Sequence, residues 1–337
     1  MAKRTRPAPP GRRYAERHGN GAHAGRGDVA RRGGRTRMAP LLVSGLSRGR
    51  ALVRGSTNVS RARSLPECWN HGLALAMDAV RINTVSLEVR RGVSLWHKQR
   101  RLGMGAVIAV GNVFLHLSRS RIRMHPSVSR WRGRELASFA LLHPGRLAEP
   151  CGGRAVVLEA LPGERLDRLL QQGRLTPNIM EAAARELHRA HGLTLPGASR
   201  AWSHGDVHLK NLLYDEVKQR AWLIDFETEH DTSLDASERH ADDLLVLLLD
   251  LRGRAPLEQA RSLAEAFLRA YPEQTVRREL TSRLCPPRGL ERALWKSRSH
   301  HLPDEALIDW LEYLQAAVEP RLKKGHVPGK VVSLPPA

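Results

Sequence analysis

Apolar and polar residues alternate from Asp78 to Val89 (D-A-V-R-I-N-T-V-S-L-E-V) and again from Val93 to Lys98 (V-S-L-W-H-K), with Arg90-Arg91-Gly92 between them. A period of two with β-branched content marks strands, so this stretch predicts a hairpin. Met104–Leu117 is apolar at most of its positions, a length that suits a core or interface-lying helix rather than a bilayer span. Burial against the rest of the N-terminal part of the fold is the plainer expectation for it; lying on a membrane surface among Arg100, Arg101, Arg119, Arg121 and Arg123 is the other. An amphipathic helix with Trp131, Glu135 and Phe139 follows over Ser129–Leu142, then a short buried strand at Ala155–Ala160 that Leu161-Pro162-Gly163 breaks.

Beyond that break the period lengthens. Helices are expected at Arg165–Gln172 and Pro177–His191, the latter carrying Met180, Ala183, Leu187 and Ala190 at helical spacing with Gly192 after its end. Two short strands, Leu212–Tyr214 and Ala221–Ile224, flank the turn Asp215–Gln219. From Ala241 the pattern is helical through Leu244–Leu251, Leu257–Tyr271, Gly289–Ser297 and Glu305–Val318. The order is strands, helix, strand, then a mostly helical half enclosing a small hairpin, which reads as α+β with no internal repeat.

Charge divides the chain differently. Of 337 residues, 41% are hydrophobic and 26% charged, which excludes a wholly disordered or fibrous protein. The net charge is +21, and residues 1–64 hold 16 Lys and Arg against two acids, with 39 against 32 in the rest. That first segment is too poor in apolar runs to form a core, so residues 1–77 are expected to be a disordered basic tail, and 326–337 a disordered C-terminal one. Two further readings of the basic tail are an arm for nucleic acid or anionic lipid, and a start assigned too early, since Met38 and Met77 are internal alternatives. It lacks the aromatic interleaving of a specific nucleic-acid binder, so nucleic acid is not expected as a partner. Three scattered cysteines, Cys68, Cys151 and Cys285, argue against a disulfide framework or zinc site and for a cytoplasmic location. The start has charge but no apolar core after it, unlike a secretory signal.

The chemistry concentrates in Trp202–Asp231, where Asp206 is followed five residues later by Asn211 and nineteen later by Asp225, with apolar strands between. Phosphoryl transfer to a hydroxyl needs a carboxylate near the acceptor oxygen and hard oxygen ligands for Mg²⁺ on the ATP phosphates. A turn bearing Asp206 and Asn211 beside a hairpin ending in Asp225 can deliver all three to one cleft. Read blandly, the same residues cap turns.

The stretch His204-Gly205-Asp206-Val207-His208-Leu209-Lys210-Asn211, with Ile224-Asp225-Phe226-Glu227, resembles the protein-kinase-like superfamily. It is closer to the aminoglycoside phosphotransferase and choline kinase branch than to Ser/Thr protein kinases, and is similar also to bacterial lipopolysaccharide core kinases. The resemblance is strong over about 200–250, weaker over 85–200 and absent over 1–76. It implies a bilobal kinase-like fold, with a small β-rich N-lobe over 78–160, a mainly helical C-lobe over 161–325, and ATP and Mg²⁺ as cofactors. Carried over residue by residue, Asp206 would be the catalytic base, Asn211 and Asp225 would hold Mg²⁺, and His204 would brace the loop. Asp243 would anchor that loop's backbone, with Asp242 as a substitute. Lys98, paired with Glu135, would contact the α/β-phosphates, Arg100 and Arg101 being alternative phosphate contacts. Backbone groups of Glu159–Leu161 would meet adenine, which makes Glu159 and Leu161 cofactor-binding positions.

Two departures shape the expected activity. No G-x-G-x-x-G precedes Lys98, and Glu227 replaces the glycine of D-F-G with no A-P-E after it. Only Thr228–Glu238 separates the metal motif from the next helix, too little for a peptide platform. A phosphotransferase acting on a small-molecule or glycan acceptor is therefore expected. The acceptor would be a sugar, aminoglycoside, amino alcohol or lipopolysaccharide-type glycan, with peripheral contact to the inner face of a membrane open. An atypical Ser/Thr protein kinase and a pseudokinase that docks nucleotide or partner are the alternatives. His240 and His300-His301 are expected to be packed or solvated rather than metal ligands. Trp202, Trp222, Trp295 and Trp310 are expected in the core.

Overall fold

The computed structural model describes residues 82–324, so both expected tails lie outside the described residues, as does the start of the first expected strand. The predicted hairpin is β1 (Asn83–Arg90) with β2 (Val93–Arg100), turning at Arg91-Gly92. Further along, β4 (Ala148–Cys151) and β5 (Ala155–Glu159) complete an antiparallel sheet of order β1-β2-β5-β4. Residues directly opposite in an antiparallel pair share a face. Val85 lies opposite Lys98 and Leu87 opposite Trp96, while Lys98 and Trp96 lie opposite Val156 and Leu158. These six residues therefore belong to one side of the sheet.

Between β2 and β4 run α1 (Met104–Leu117), β3 (Ile122–Met124) and α2 (Val128–Leu142). Helix α2 buries Trp131, Glu135, Ser138, Phe139 and Leu142, a stripe at three- and four-residue intervals that faces the sheet. Helix α1 corrects the plainer expectation. It packs on β3 and buries only Ile108 and Leu115, so most of its apolar residues stay at the surface. No helix among the described residues is long and apolar enough to cross a membrane.

The chain leaves the sheet through Gly163, where φ is +113° and a side chain would strike the backbone of Tyr214, with a Cβ 2.4 Å from its carbonyl oxygen. Only glycine passes there. The mainly helical part then runs through β6 (Glu164–Arg165), α3 (Leu166–Gln171) and α4 (Pro177–His191) to a 3₁₀ turn at Leu209–Asn211. The hairpin β7 (Leu212–Asp215) and β8 (Arg220–Leu223) follows, then β9 (Thr228–His230), which pairs back with β3. Helices α5 (Ala236–Arg254), α6 (Leu257–Ala270), α7 (Gln274–Arg283), α8 (Gly289–Arg298) and α9 (Asp304–Lys324) complete it. Helix α5 is buried on every side from Arg239 to Leu251, and α6, α7 and α8 pack against it. Trp202, Trp222, Trp295 and Trp310 are all in this core. The bilobal α+β architecture is thus the one expected.

Several elements escape the pattern for physical reasons. Strands β3, β6 and β9 have two or three residues, too few to alternate. Helix α7 is polar, with only Val276, Arg277 and Leu280 buried. Helix α5 starts five residues before Ala241 because Asp235 accepts from the Glu238 amide while Glu238 accepts from the Asp235 amide. That capping box satisfies two donors at the helix start.

Candidate active site

The loop before the 3₁₀ turn is held from three sides. Asp243 of α5, wholly buried, accepts from the backbone N–H of His204 at 2.8 Å and of Gly205 at 2.7 Å. His191 Nε2 donates to the same carboxylate at 3.1 Å and is itself fixed by the Tyr271 hydroxyl at 2.7 Å. The His204 ring donates from Nε2 to the Ile224 carbonyl at 3.0 Å and accepts the Asp206 N–H on Nδ1 at 3.2 Å. One neutral imidazole so ties the loop to the residue before Asp225, and burial keeps it neutral by lowering its pKa. Gly205 sits at φ +85°, and a Cβ there would lie 2.8 Å from Thr228 Oγ1, which donates to the His204 carbonyl. Asp242, the neighbouring residue on α5, faces His230, Arg298 and Arg283 instead.

Asp206, Asn211 and Asp225 are brought together. Asn211 Nδ2 donates to the Asp206 carbonyl at 2.8 Å and to its carboxylate at 3.3 Å. The Ile224 N–H donates to the Asn211 carbonyl at 3.0 Å, which sets Asn211 beside Asp225 across the β7–β8 hairpin. Asp225 adopts a left-handed backbone (φ +69°) that Asp tolerates better than bulkier residues. Its Oδ1 lies 2.6 Å from Lys98 Nζ, yet 39% of its side chain remains exposed. So the sheet and the hairpin meet at this carboxylate.

Lys98 reaches two further carboxylates, Glu135 at 3.1 Å and Glu227 at 2.7 Å. Burial disfavours its charge, but Asp225, Glu135 and Glu227 outweigh that and hold the ammonium well above its usual pKa. Burial dominates at Glu227, pushing it up to about 7 despite Lys98. Arg100 stacks on Trp131 and comes within 3.9 Å of Glu227, so two cations face three carboxylates. Among the described residues no group of three or more His, Cys, Asp or Glu is arranged to hold a metal. A cation at Asp225 and Asn211 would have two side-chain oxygens from the protein.

Three residues of the site carry no assigned role in the sequence reading. His208 Nε2 lies 2.8 Å from Asp206 Oδ1, and its Nδ1 lies 3.3 Å from buried Asp250. Burial alone would lower the His208 pKa, but the two carboxylates raise it to about 9. The charged ring in turn holds Asp206 below the usual carboxylate range against the effect of burial. Asp250 also accepts the Leu209 N–H at 2.8 Å and bonds to Arg254 and His300. The signals were the second histidine of H-G-D-x-H and an acid one turn-multiple after Asp243 on the same helix. Glu227, the third, stood out as the residue replacing a glycine.

Other named positions fall elsewhere. The Glu159 side chain pairs with Arg146 and accepts from Leu147 N–H at 3.0 Å, on the sheet face away from Lys98. Only its backbone adjoins the interlobe crossing, with Leu161 buried beside it. His240 stacks on His191 with ring centroids 3.8 Å apart and bonds to the Trp202 carbonyl. His300 pairs with Asp250, so both histidine candidates serve packing and hydrogen bonding.

No protein-family model matches the chain, and no curated protein does. Similar solved structures include a Plasmodium vivax ethanolamine kinase, 11% identical at TM-score 0.35, covering 80% of this chain and 93% of that one. A choline/ethanolamine kinase family protein of Mesorhizobium loti is 14% identical at TM-score 0.34, covering 77% and 96%. The bifunctional kinase-methyltransferase WbdD is 16% identical at TM-score 0.31, covering 66% of this chain and 40% of its own.

Proposed function

We propose that the chain is an ATP- and Mg²⁺-dependent phosphotransferase that moves the γ-phosphoryl group to a hydroxyl of a non-protein acceptor. The observation that carries this reading is the convergence of Lys98, Asp206, Asn211 and Asp225, delivered by a sheet strand, a loop and a hairpin. The donor set suits a hard divalent cation. Asn211 commits its amide N–H to Asp206, which leaves its oxygen for a cation, and Asp225 keeps part of its carboxylate open. The surplus of carboxylates over cations around Lys98 favours added positive charge in the same place. Asn211 and Asp225 would hold Mg²⁺, which when bound offsets charge between the phosphates.

Each protein group then has a defined task. Lys98, kept charged and steadied by Glu135, binds phosphate oxygens. Asp206, kept ionised and oriented by His208, accepts the hydrogen bond of the acceptor hydroxyl and points its oxygen at phosphorus. Val85, Leu87 and Trp96 share the sheet face of Lys98 and remain exposed, so they form an apolar roof for a purine base beneath the sheet. The short link between Asp225 and α5 favours a sugar, aminoglycoside, amino alcohol or glycan over a folded protein as acceptor. Incubating the pure chain with labelled ATP, Mg²⁺ and a panel of such acceptors tests this. Transfer that Asp206→Ala abolishes is expected; transfer that survives the substitution contradicts it.

A further inference from the structure

Helix α1 presents a face that nothing in the described fold covers. Leu102, Val110, Val113 and Leu117 are 77%, 72%, 59% and 60% exposed, and Ala106 continues the row at three- and four-residue steps. From Gly103 to Leu117 the chain carries no Asp, Glu, Lys or Arg. The flanking sequence is charged with one sign. Between Val89 and Arg134 there are eleven Lys and Arg and no Asp or Glu. Arg119 and Arg130 are exposed, and Arg121 and Arg123 keep about half their side chains exposed while reaching Glu238 and Glu229.

We infer that this face docks α1 in the plane of an anionic lipid bilayer, the aliphatic row entering the acyl boundary and the arginines meeting lipid phosphates. The two features together select that occupant. Nucleic acid would answer the arginines but not the aliphatic row. A second copy would answer the aliphatic row but bring the same arginines against them, with no acid in the segment to receive them. An apolar helix face rimmed by cations is what binds at a headgroup boundary, with affinity set by buried apolar area plus attraction to anionic lipid. The docking element is stitched to the catalytic segment. Asn112 of α1 exchanges hydrogen bonds with the Met124 backbone at 2.8 and 2.9 Å, and β3 pairs with β9, which begins three residues after Asp225.

The test is cosedimentation of the full chain with vesicles of phosphatidylcholine alone and of phosphatidylcholine mixed with phosphatidylglycerol. Binding is expected to the mixed vesicles only. The double substitution Val110→Asp/Val113→Asp should weaken it by about tenfold or more, since two buried aliphatic anchors are lost. Arg119→Glu/Arg130→Glu should weaken it severalfold at low salt without touching the aliphatic row, and keeps the test decisive if the first variant is poorly folded. Wild-type binding by both variants would assign any attraction to the basic N-terminal segment and overturn the inference. So would absence of binding, or a dimer that the first variant dissociates while vesicles leave it intact. No nucleotide enters the assay, so its failure is separate from failure of the phosphotransferase reading.

Discussion

The two lobes place their apolar residues differently. Of fourteen large hydrophobic residues exposed among the described ones, eleven lie between Val85 and Leu147, and only Val217, Leu290 and Ile308 lie in the helical lobe. Both lobes bury charge, Lys98, Arg100 and Glu135 in the first, but in the helical lobe Asp243 and Asp250 are wholly enclosed and accept from loop amides and histidines. An unpaired buried acceptor is expensive, so such carboxylates fix one backbone conformation. Exposed apolar strands and helices fix nothing by themselves; they are surfaces for something else to complete. The helical lobe therefore fixes the loop's geometry, while the sheet and α1 present the apolar surface that the proposed base and bilayer would complete.

The contrast can be broken by substitution. Asp206→Ala and Asp225→Ala should each lower phosphotransfer by about 10³-fold or more with the fold retained, read by turnover and circular dichroism. Near-normal turnover in either would remove the site from the helical lobe. Asp243→Ala should cost roughly 3 kcal/mol of stability, because two loop amides and a histidine lose a buried partner, visible as a lower denaturation midpoint in urea. A change below about 0.5 kcal/mol would show that the loop does not depend on buried charge.

His208 sharpens the same point through pH. Its folded pKa lies near 9, above the usual 6.5, so its stabilisation is complete below pH 6.5 and disappears as pH rises through 9. The shift corresponds to something on the order of 3 kcal/mol, and His208→Gln should flatten the fall in stability across that window. An unchanged slope in the variant would assign the effect to another group. In the sheet lobe the effects are smaller. Trp96→Ala should raise the ATP KM about tenfold with little change in kcat, as loss of base stacking does. Val217→Asp, at an exposed turn of the helical lobe, should move stability by less than about 0.5 kcal/mol.

What could be read in the chain follows the same division. The positions of Asp206, Asn211 and Asp225 were legible because a turn and a two-stranded hairpin leave few ways to arrange residues at that spacing. Asp243 was legible as the loop's anchor through the resemblance, with Asp242 as substitute, whereas the apolar pattern does not show the rotation of α5, which begins at a cap. The pairing of His208 with Asp250 was hidden because the two lie 42 positions apart and no periodicity links a loop histidine to a helix acid. The exposed surface of α1 is illegible for the opposite reason. An apolar run announces burial by something, and sequence alone does not tell whether that something is the protein.

In the proposed site Asp225 and Asn211 hold a divalent cation against the triphosphate that Lys98 contacts. Titration calorimetry of ATP into the wild-type chain and Asp225→Asn, with Mg²⁺ and with EDTA, measures this directly. The account predicts tight binding that needs both Mg²⁺ and Asp225. Equal affinity with and without Mg²⁺, or in the variant, would contradict it.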